Sequence, residues 1–448
     1  MKLWQKENTN ISEKIEKFTV GRDTEMDLNL AKHDVLGSMA HAIMLESVGL
    51  LDKSDLKILI PALKNIHKRI IENNFEIENG VEDVHSQVEL LLTRELGDAG
   101  KKIHSGRSRN DQVLVDLKLY FREKIQETVV LVKNLFDTLQ SQSERTKDLL
   151  LPGYTHLQIA MPSSFGLWFG AYAEALTDDL ELMEAAYRLS NKNPLGSGAG
   201  YGSSFPLNRT LTTELLGFEN LHNNVVYAQM SRGKTESFVA IGIAQLASTI
   251  GRMAMDICLF NSQNFCFITL AEEFTTGSSI MPHKKNPDVA ELLRGKCNRL
   301  KSIPNEIALV MTNLPSGYHR EMQLLKEIIM PAFSEIGNCL EMTIDLVSNI
   351  SVKENILNDN KYDLLFSVER VNELVISGIP FREAYKQVGK EIAAGTYKRP
   401  SKLEHTHEGS IGNLRTNEIK EAMGNMYSKF DFQKTDTALQ NLLKFEVS

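Results

Sequence analysis

DQVLVDLKLYFREKIQETVVLVKNLFDTLQSQSERTKDLL, residues Asp111 to Leu150, runs without a proline or a glycine. Its apolar residues step by three and four: Leu114, Leu117, Phe121 and Ile125, then Val132, Leu135 and Leu139. That is the period of one helical face, not the alternation of a strand. A helix of roughly 40 residues is about 60 Å long. Helices of that length are stabilised by packing, which places this one in a bundle.

Outward from there the pattern repeats. Ser163 to about Arg188 and Val289 to Leu314 read as further long helices, with Pro304 as a kink in the second. Phe238 to Phe260 is the most apolar long stretch, but Gln245, Arg252 and Asp256 interrupt it. It reads as a helix buried in protein on nearly all sides, in a crowded interior or an oligomer core, and not as a membrane span. No segment alternates convincingly enough to be a strand. The expected fold is all-α in three parts: short helices over residues 1–107, a central long-helix bundle over 108–360, and a small helical region over 361–448. No repeat or low-complexity linker separates them.

The composition fits a soluble globular chain. Its 448 residues carry 50 basic and 58 acidic side chains, a net charge of −8, which argues against binding nucleic acid or an anionic membrane. A hydrophobic share of 42% excludes a disordered chain. The four cysteines (Cys258, Cys266, Cys297, Cys339) form no CxxC pair and no disulfide framework. Reduced thiols, and an N-terminus with no apolar signal core, lead to a cytoplasmic expectation.

Three polar segments break the helices. KKIHSGRSRNDQ (Lys101–Gln112) sets Arg107, Arg109 and Asn110 just before the longest helix. Ser108 or Asn110 is placed to cap it, and the paired arginines suit carboxylate recognition. LPGYTHLQIAMP (Leu151–Pro162) holds His156 on a proline-stiffened loop beside Thr155 and Gln158, where a near-neutral pKa suits acid–base work. TTGSSIMPHKKNP (Thr275–Pro287) joins a hinge glycine, two serines, Lys284 and Asn286, the parts of an anion-clamping loop. Other motifs fail. NPLGSGAGYG (Asn193–Gly202) lies in no βαβ context. A P-loop ending in Gly233-Lys234-Thr235 would need glycine where Ala228 stands. His405 and His407 with Glu408 lack further metal ligands.

With these segments read, the chain resembles the argininosuccinate lyases of the fumarase/aspartase superfamily. GSSIMPHKKNP (Gly277–Pro287) is similar to the superfamily signature. HSGRSRNDQV (His104–Val113), PGYTHLQ (Pro152–Gln158), EDVH (Glu82–His85) and LPSGYHREMQ (Leu314–Gln323) resemble that family in particular. The likeness runs from Leu3-Trp4 to about Gly389 and thins beyond.

The resemblance implies a homotetramer whose central helices form one bundle, with each active site shared among three subunits. It implies cleavage of argininosuccinate to arginine and fumarate by anti elimination, the last step of arginine biosynthesis, with no metal or organic cofactor. By position, Ser278 and His156 match the catalytic pair, with Ser278 as base and His156 on the acid side, an assignment sometimes reversed. Glu291 matches the carboxylate paired with the histidine, and Lys284 and Asn286 the carboxylate clamp. Asn110, Thr155, Tyr318, Gln323 and Lys326 match substrate-binding positions, and Arg109, His85 and Arg232 are further candidates. The spacing of Tyr318, Gln323 and Lys326 allows one side of a loop or helix start, where they would take the arginine half and its carboxylate.

Four departures touch that end. QKEN (Gln5–Asn8) follows Leu3-Trp4 where relatives have a glycine pair and Arg-Phe. Gly21 stands at a usual serine. MSRG (Met230–Gly233) keeps Arg232 but loses two acids, and Leu324-Leu325 replaces Glu-Asp. His283 also resembles adenylosuccinate lyase, the nearest rival. Aspartase or fumarase activity, and an inert structural protein on the same fold, are the more distant rivals.

Overall fold

The computed structural model describes residues 13–447, so Leu3-Trp4 and the Gln5–Asn8 departure lie outside the described residues. The longest helix is Arg109–Arg145. Ser108 caps it. Its hydroxyl accepts from the Asn110 N–H at 3.3 Å, and the Asp111 carboxylate accepts from the Ser108 N–H at 2.7 Å. Asn110 is thus inside the helix and not its cap. The other Asp111 oxygen accepts from the Gly196 and Gly198 N–H groups, each at 2.9 Å. The glycine-rich stretch is therefore a collar around the start of this helix. Gly196 and Gly198 both have positive φ, which suits glycine.

The stripe from Leu114 to Leu139 faces the core, as its period requires. It packs against Phe165–Ser190 and Leu324–Ser348; Lys234–Asn261 packs in turn on those two, with Asp288–Leu300 completing the bundle. Phe136, Phe169, Ile243, Ile250, Ile329 and Ile336 are among its fully buried side chains. Each such side chain contributes about 1.5–3 kcal/mol when removed from water.

Two helices differ from the sequence expectation. Val289 to Leu314 is not one kinked helix but two, Asp288–Leu300 and Ile303–Val310. Pro304 lies in the first turn of the second, where its missing N–H costs nothing. The apolar stretch lies within Lys234–Asn261, and Val225–Asn261 is long and apolar enough to cross a membrane by length and composition alone. Here it packs against the bundle, with Arg252 exposed and Gln245 and Asp256 bonded to the neighbouring helix Phe165–Ser190. Asp256 accepts from Trp168 Nε1 at 3.0 Å and Tyr172 Oη at 2.6 Å, and Gln245 donates to Asp179 at 3.0 Å. It is not covered on every side, since Phe238, Ile241 and Met255 are each about 40% exposed.

A second core joins Ala31–Ser47, Lys53–Ile71 and Val84–Leu96 through Met39, Leu59, Leu63 and Leu92, and Leu442 of the last helix, Phe432–Lys444, belongs to it. Val371, Leu374, Ala384 and Val388 form a small separate cluster.

The absence of strands expected from the sequence is corrected by several short ladders. Leu150–Thr155 pairs antiparallel with Gln158–Ser164, and Thr276–Gly277 pairs with Lys285–Asn286. The first hairpin bulges after Pro152. A Cβ on Gly153 would lie 2.7 Å from the Met161 carbonyl oxygen, so only glycine fits there. Tyr154, packed edge-on against Phe265, anchors the hairpin to the body.

Candidate active site

The loop expected around His156 is the turn of that first hairpin. Thr155 pairs with Gln158, leaving His156 and Leu157 as a two-residue turn with φ of 55° and 58°. Both angles positive is the geometry that matches strand twist in tight hairpins. Thr155, His156 and Leu157 are all exposed. The imidazole is thus carried outward on a rigid arm.

The second expected loop, from Ser278 to Lys284, is the tip of the other hairpin. The Ser278 hydroxyl accepts from the Met281 N–H at 3.1 Å. Lys284 is exposed, Asn286 half-buried, and Ile280 at the apex is 83% exposed. Glu291 follows, exposed on the first turn of Asp288–Leu300.

The remaining candidates surround a cavity of about 240 Å³. His85, Arg109, Asn110, Arg232, Tyr318, Gln323 and Lys326 all line it. Tyr318, Gln323 and Lys326 fall at the 3₁₀ turn Arg320–Gln323 and the start of Leu324–Ser348, as their spacing allows. Ion pairs hold most of these groups. Lys326 Nζ lies 2.6 Å from Asp23 Oδ1 and 2.5 Å from Asp27 Oδ1. Burial works against its charge, but Asp27 and Asp23 outweigh it and raise the Lys326 pKa. Arg109 donates to Glu82 at 2.9 Å and to Ser86 Oγ at 2.6 Å, and lies 3.2 Å from Asp83. Arg232 donates to Glu236 at 3.0 Å and to the Met322 carbonyl at 2.6 Å. Glu236, four residues on, is the acid that Arg232 meets, in the absence of the two missing from MSRG.

None of Thr155, His156, Ser278, Lys284, Asn286 and Glu291 lines this cavity, and within one chain no hydrogen bond among the described residues joins His156 to Ser278 or Glu291. One chain therefore presents three separate pieces: a cavity and two protruding arms.

Sequence reading missed Asp23 and Asp27 and gave the acids of EDVH no role of their own. Asp23, Asp27, Glu82 and Asp83 line the cavity, while Gly21, the position expected to touch substrate, lies exposed beside the Glu327 carboxylate. Leu325 is in the core and Leu324 exposed, so neither stands in for the usual acids. Gly233, at φ +74°, starts its helix with its N–H donated to Glu236 at 2.7 Å. The one group of metal-ligating side chains close enough to hold a cation, among the described residues, is Asp34, His85 and Asp116, with ligand atoms within 4.8 Å of one another. His405 instead bonds Glu369 at 3.1 Å.

A family model described as "Lyase" matches residues 6–301. Argininosuccinate lyase from Parabacteroides distasonis is 60% identical over 442 residues, covering 99% of both chains. The chain belongs to the argininosuccinate lyase family. Argininosuccinate lyase from Bacteroides fragilis matches equally, at 60% over 442 residues and 99% of each chain. Among solved structures, an EDDS lyase in complex with formate superimposes with a TM-score of 0.74 over 97% of this chain and 95% of that one, at 21% identity, a likeness of fold. The all-α superfamily architecture is thus shared between this argininosuccinate lyase family member and a lyase of distant sequence.

Proposed function

We infer that this chain cleaves argininosuccinate reversibly to L-arginine and fumarate, as a carbon–nitrogen lyase of arginine biosynthesis. The observation that carries it is 60% identity to an argininosuccinate lyase over nearly the whole of both chains.

The chemistry follows from the three pieces. A base removes the proton beside a carboxylate of the succinyl half, and that carboxylate then takes up the developing charge as a dianion. Lys284, Asn286 and loop N–H groups surround it, and donors placed where charge develops lower the barrier most. Ser278 is the base we favour, with the hydroxyl ionised inside the closed loop. His156, paired with Glu291, gives a proton to the guanidino nitrogen as it leaves on the opposite face. Thr155 and Asn110 bind the succinyl side. The cavity takes the amino-acid head of the arginine half. Its ammonium suits Asp23 and Asp27, and its carboxylate suits Lys326, Gln323 and Tyr318, with Arg109, His85 and Arg232 as further donors. No metal or organic cofactor enters this scheme.

The same reading includes a homotetramer with sites built from three subunits. It would cover Phe238, Ile241 and Met255 and bring the two arms of neighbouring copies to the cavity. The four unpaired cysteines suit a reducing cytoplasm.

The test is fumarate release from a panel of succinyl substrates. Argininosuccinate should exceed adenylosuccinate, malate and aspartate in kcat/KM by at least about 100-fold, which needs only about 3 kcal/mol of differential transition-state binding. Better use of adenylosuccinate would overturn the reading. A Lys326→Ala variant is a poorer test, because it also leaves Asp23 and Asp27 without their cation.

A further inference from the structure

Behind the cavity wall His85 belongs to a buried cluster whose acids the elimination above leaves unused. His85 Nδ1 lies 2.8 Å from Asp34 Oδ1 and 3.5 Å from Asp116 Oδ2. The three residues come from three helices: Ala31–Ser47, Val84–Leu96 and Arg109–Arg145. Asp34 is 2% exposed and Asp116 1%. Asp34 Oδ2 and both Asp116 oxygens receive no hydrogen bond among the described residues. An interior carboxylate without donors is costly unless a cation stands beside it. The other cations near the cavity are engaged: Arg109 by Glu82 and Asp83, Lys326 by Asp23 and Asp27, Arg232 by Glu236. Arg107 donates to Ser38 Oγ at 3.0 Å. Arg107, also buried, adds positive charge beside both acids, but the imidazole is the cation within hydrogen-bond distance of Asp34. With Nδ1 turned to them, Nε2 is its remaining nitrogen, on a side chain that lines the cavity.

We propose that Asp34 and Asp116 are positioning residues that hold His85 as an imidazolium with Nδ1 turned inward, so that Nε2–H is a permanent cationic donor to a substrate carboxylate. This rests on the functional reading above and assigns one of its groups a fixed charge. Burial opposes the charge on His85, but Asp34, Asp116 and Asp83 outweigh it and raise its pKa to about 10; burial and the neighbouring Asp34 push the Asp116 carboxyl well up, so Asp34 is the principal counter-charge. Arg107 and His104 from the segment before the long helix, and Arg109 from its first turn, oppose the His85 charge, as Lys326 and Arg232 do across the cavity, while Asp27, Glu82 and Glu89 favour it.

The experiment is the pH dependence of KM and kcat for argininosuccinate in wild type, Asp34→Asn and Asp116→Asn. In wild type, binding through His85 should not titrate between about pH 6 and pH 9. Without the Asp34 charge, burial draws the imidazole toward neutrality, so KM for Asp34→Asn should rise about tenfold from about pH 6 to pH 8.5 while kcat holds. Asp116→Asn should show the same trend more weakly. A purely structural role would lower activity equally at every pH, and profiles parallel to wild type overturn the proposal. So does loss of wild-type activity on chelation with recovery on adding a divalent cation, which would make the cluster a metal site. Should neither Asn variant assemble, His85→Gln decides. It should raise KM at least about tenfold at every pH, and an unchanged KM overturns the proposal. Wild type that releases no fumarate from argininosuccinate would instead sink the functional reading.

Discussion

Replacing His156 by asparagine should abolish turnover and leave the protein otherwise intact. The structure gives the reason for choosing asparagine. His156 and Leu157 form a two-residue turn with φ of 55° and 58°. A left-handed conformation costs an ordinary L-residue roughly 1–2 kcal/mol, and asparagine tolerates it best of the residues with a side chain. His156→Asn therefore keeps the hairpin, whereas His156→Ala should destabilise it by about 1 kcal/mol. Leu157 is 77% exposed and gains nothing from packing in return for its strain, so Leu157→Gly should stabilise the hairpin by about 1 kcal/mol. The loss of a general acid lowers kcat by about 10²- to 10⁴-fold, or roughly 3–5 kcal/mol in the barrier. Fumarate release measured by ultraviolet absorbance gives kcat and KM, and sedimentation and thermal melting report assembly and stability. Turnover of His156→Asn within about tenfold of wild type would refute the acid role. So would activity that falls only in step with melting temperature, because the histidine would then be a turn residue and no more.

Ser278→Ala should lose nearly all turnover with little change in melting temperature, since its hydroxyl serves only the Ile280 and Met281 N–H groups of an exposed tip; retention of activity within a few-fold would remove Ser278 from the chemistry. Lys118 is 1% exposed and donates to the Leu189 carbonyl at 2.9 Å and Thr235 Oγ1 at 2.5 Å, and burial lowers its pKa from 10.5 to about 7. A lysine depressed in the folded state is a liability below pH 7, where folding must bury the charge, and the liability fades as pH rises from about 7 to 10.5. At its fullest it is of order 5 kcal/mol. Lys118→Met should therefore unfold at higher urea than wild type below pH 7, with the advantage shrinking toward pH 10. His85, raised to about 10, acts in the opposite sense over the same window, so the comparison must be between variants at each pH. A pH-independent difference would contradict the Lys118 assignment.

The long helices were legible because an apolar stripe at helical spacing is a local signal, and Leu114 to Leu139 all face the core. Pro304 was equally legible but misread. A proline early in an apolar run marks a helix start as readily as a kink, and here Lys301-Ser302 separates two helices. The His156 hairpin was hidden because His-Leu carries no turn signature, and its prolines, Pro152 and Pro162, pair with each other inside the ladder. The arms of the site could be read from motifs, as could Tyr318, Gln323 and Lys326. The acids behind them could not. Asp34 meets His85 across 51 positions and Asp27 meets Lys326 across 299, and no local pattern encodes such pairs. Asp111 is the exception, since Ser108 followed by an acid three residues on is a capping signature, although its grip on Gly196 and Gly198 is not.

In the proposed function one chain holds pieces of a site that assembly would complete, and subunit mixing tests this most directly. Ser278→Ala and His156→Asn subunits, each inactive alone, are unfolded together in equal amounts and refolded. If each site takes Ser278 and His156 from different copies, about a quarter of the sites in the mixture regain both residues, and fumarate release should approach that fraction of wild type. If both residues of a site came from one copy, every site in the mixture would carry a lesion. A mixture that assembles into tetramers and stays as inactive as its parents would contradict the shared site.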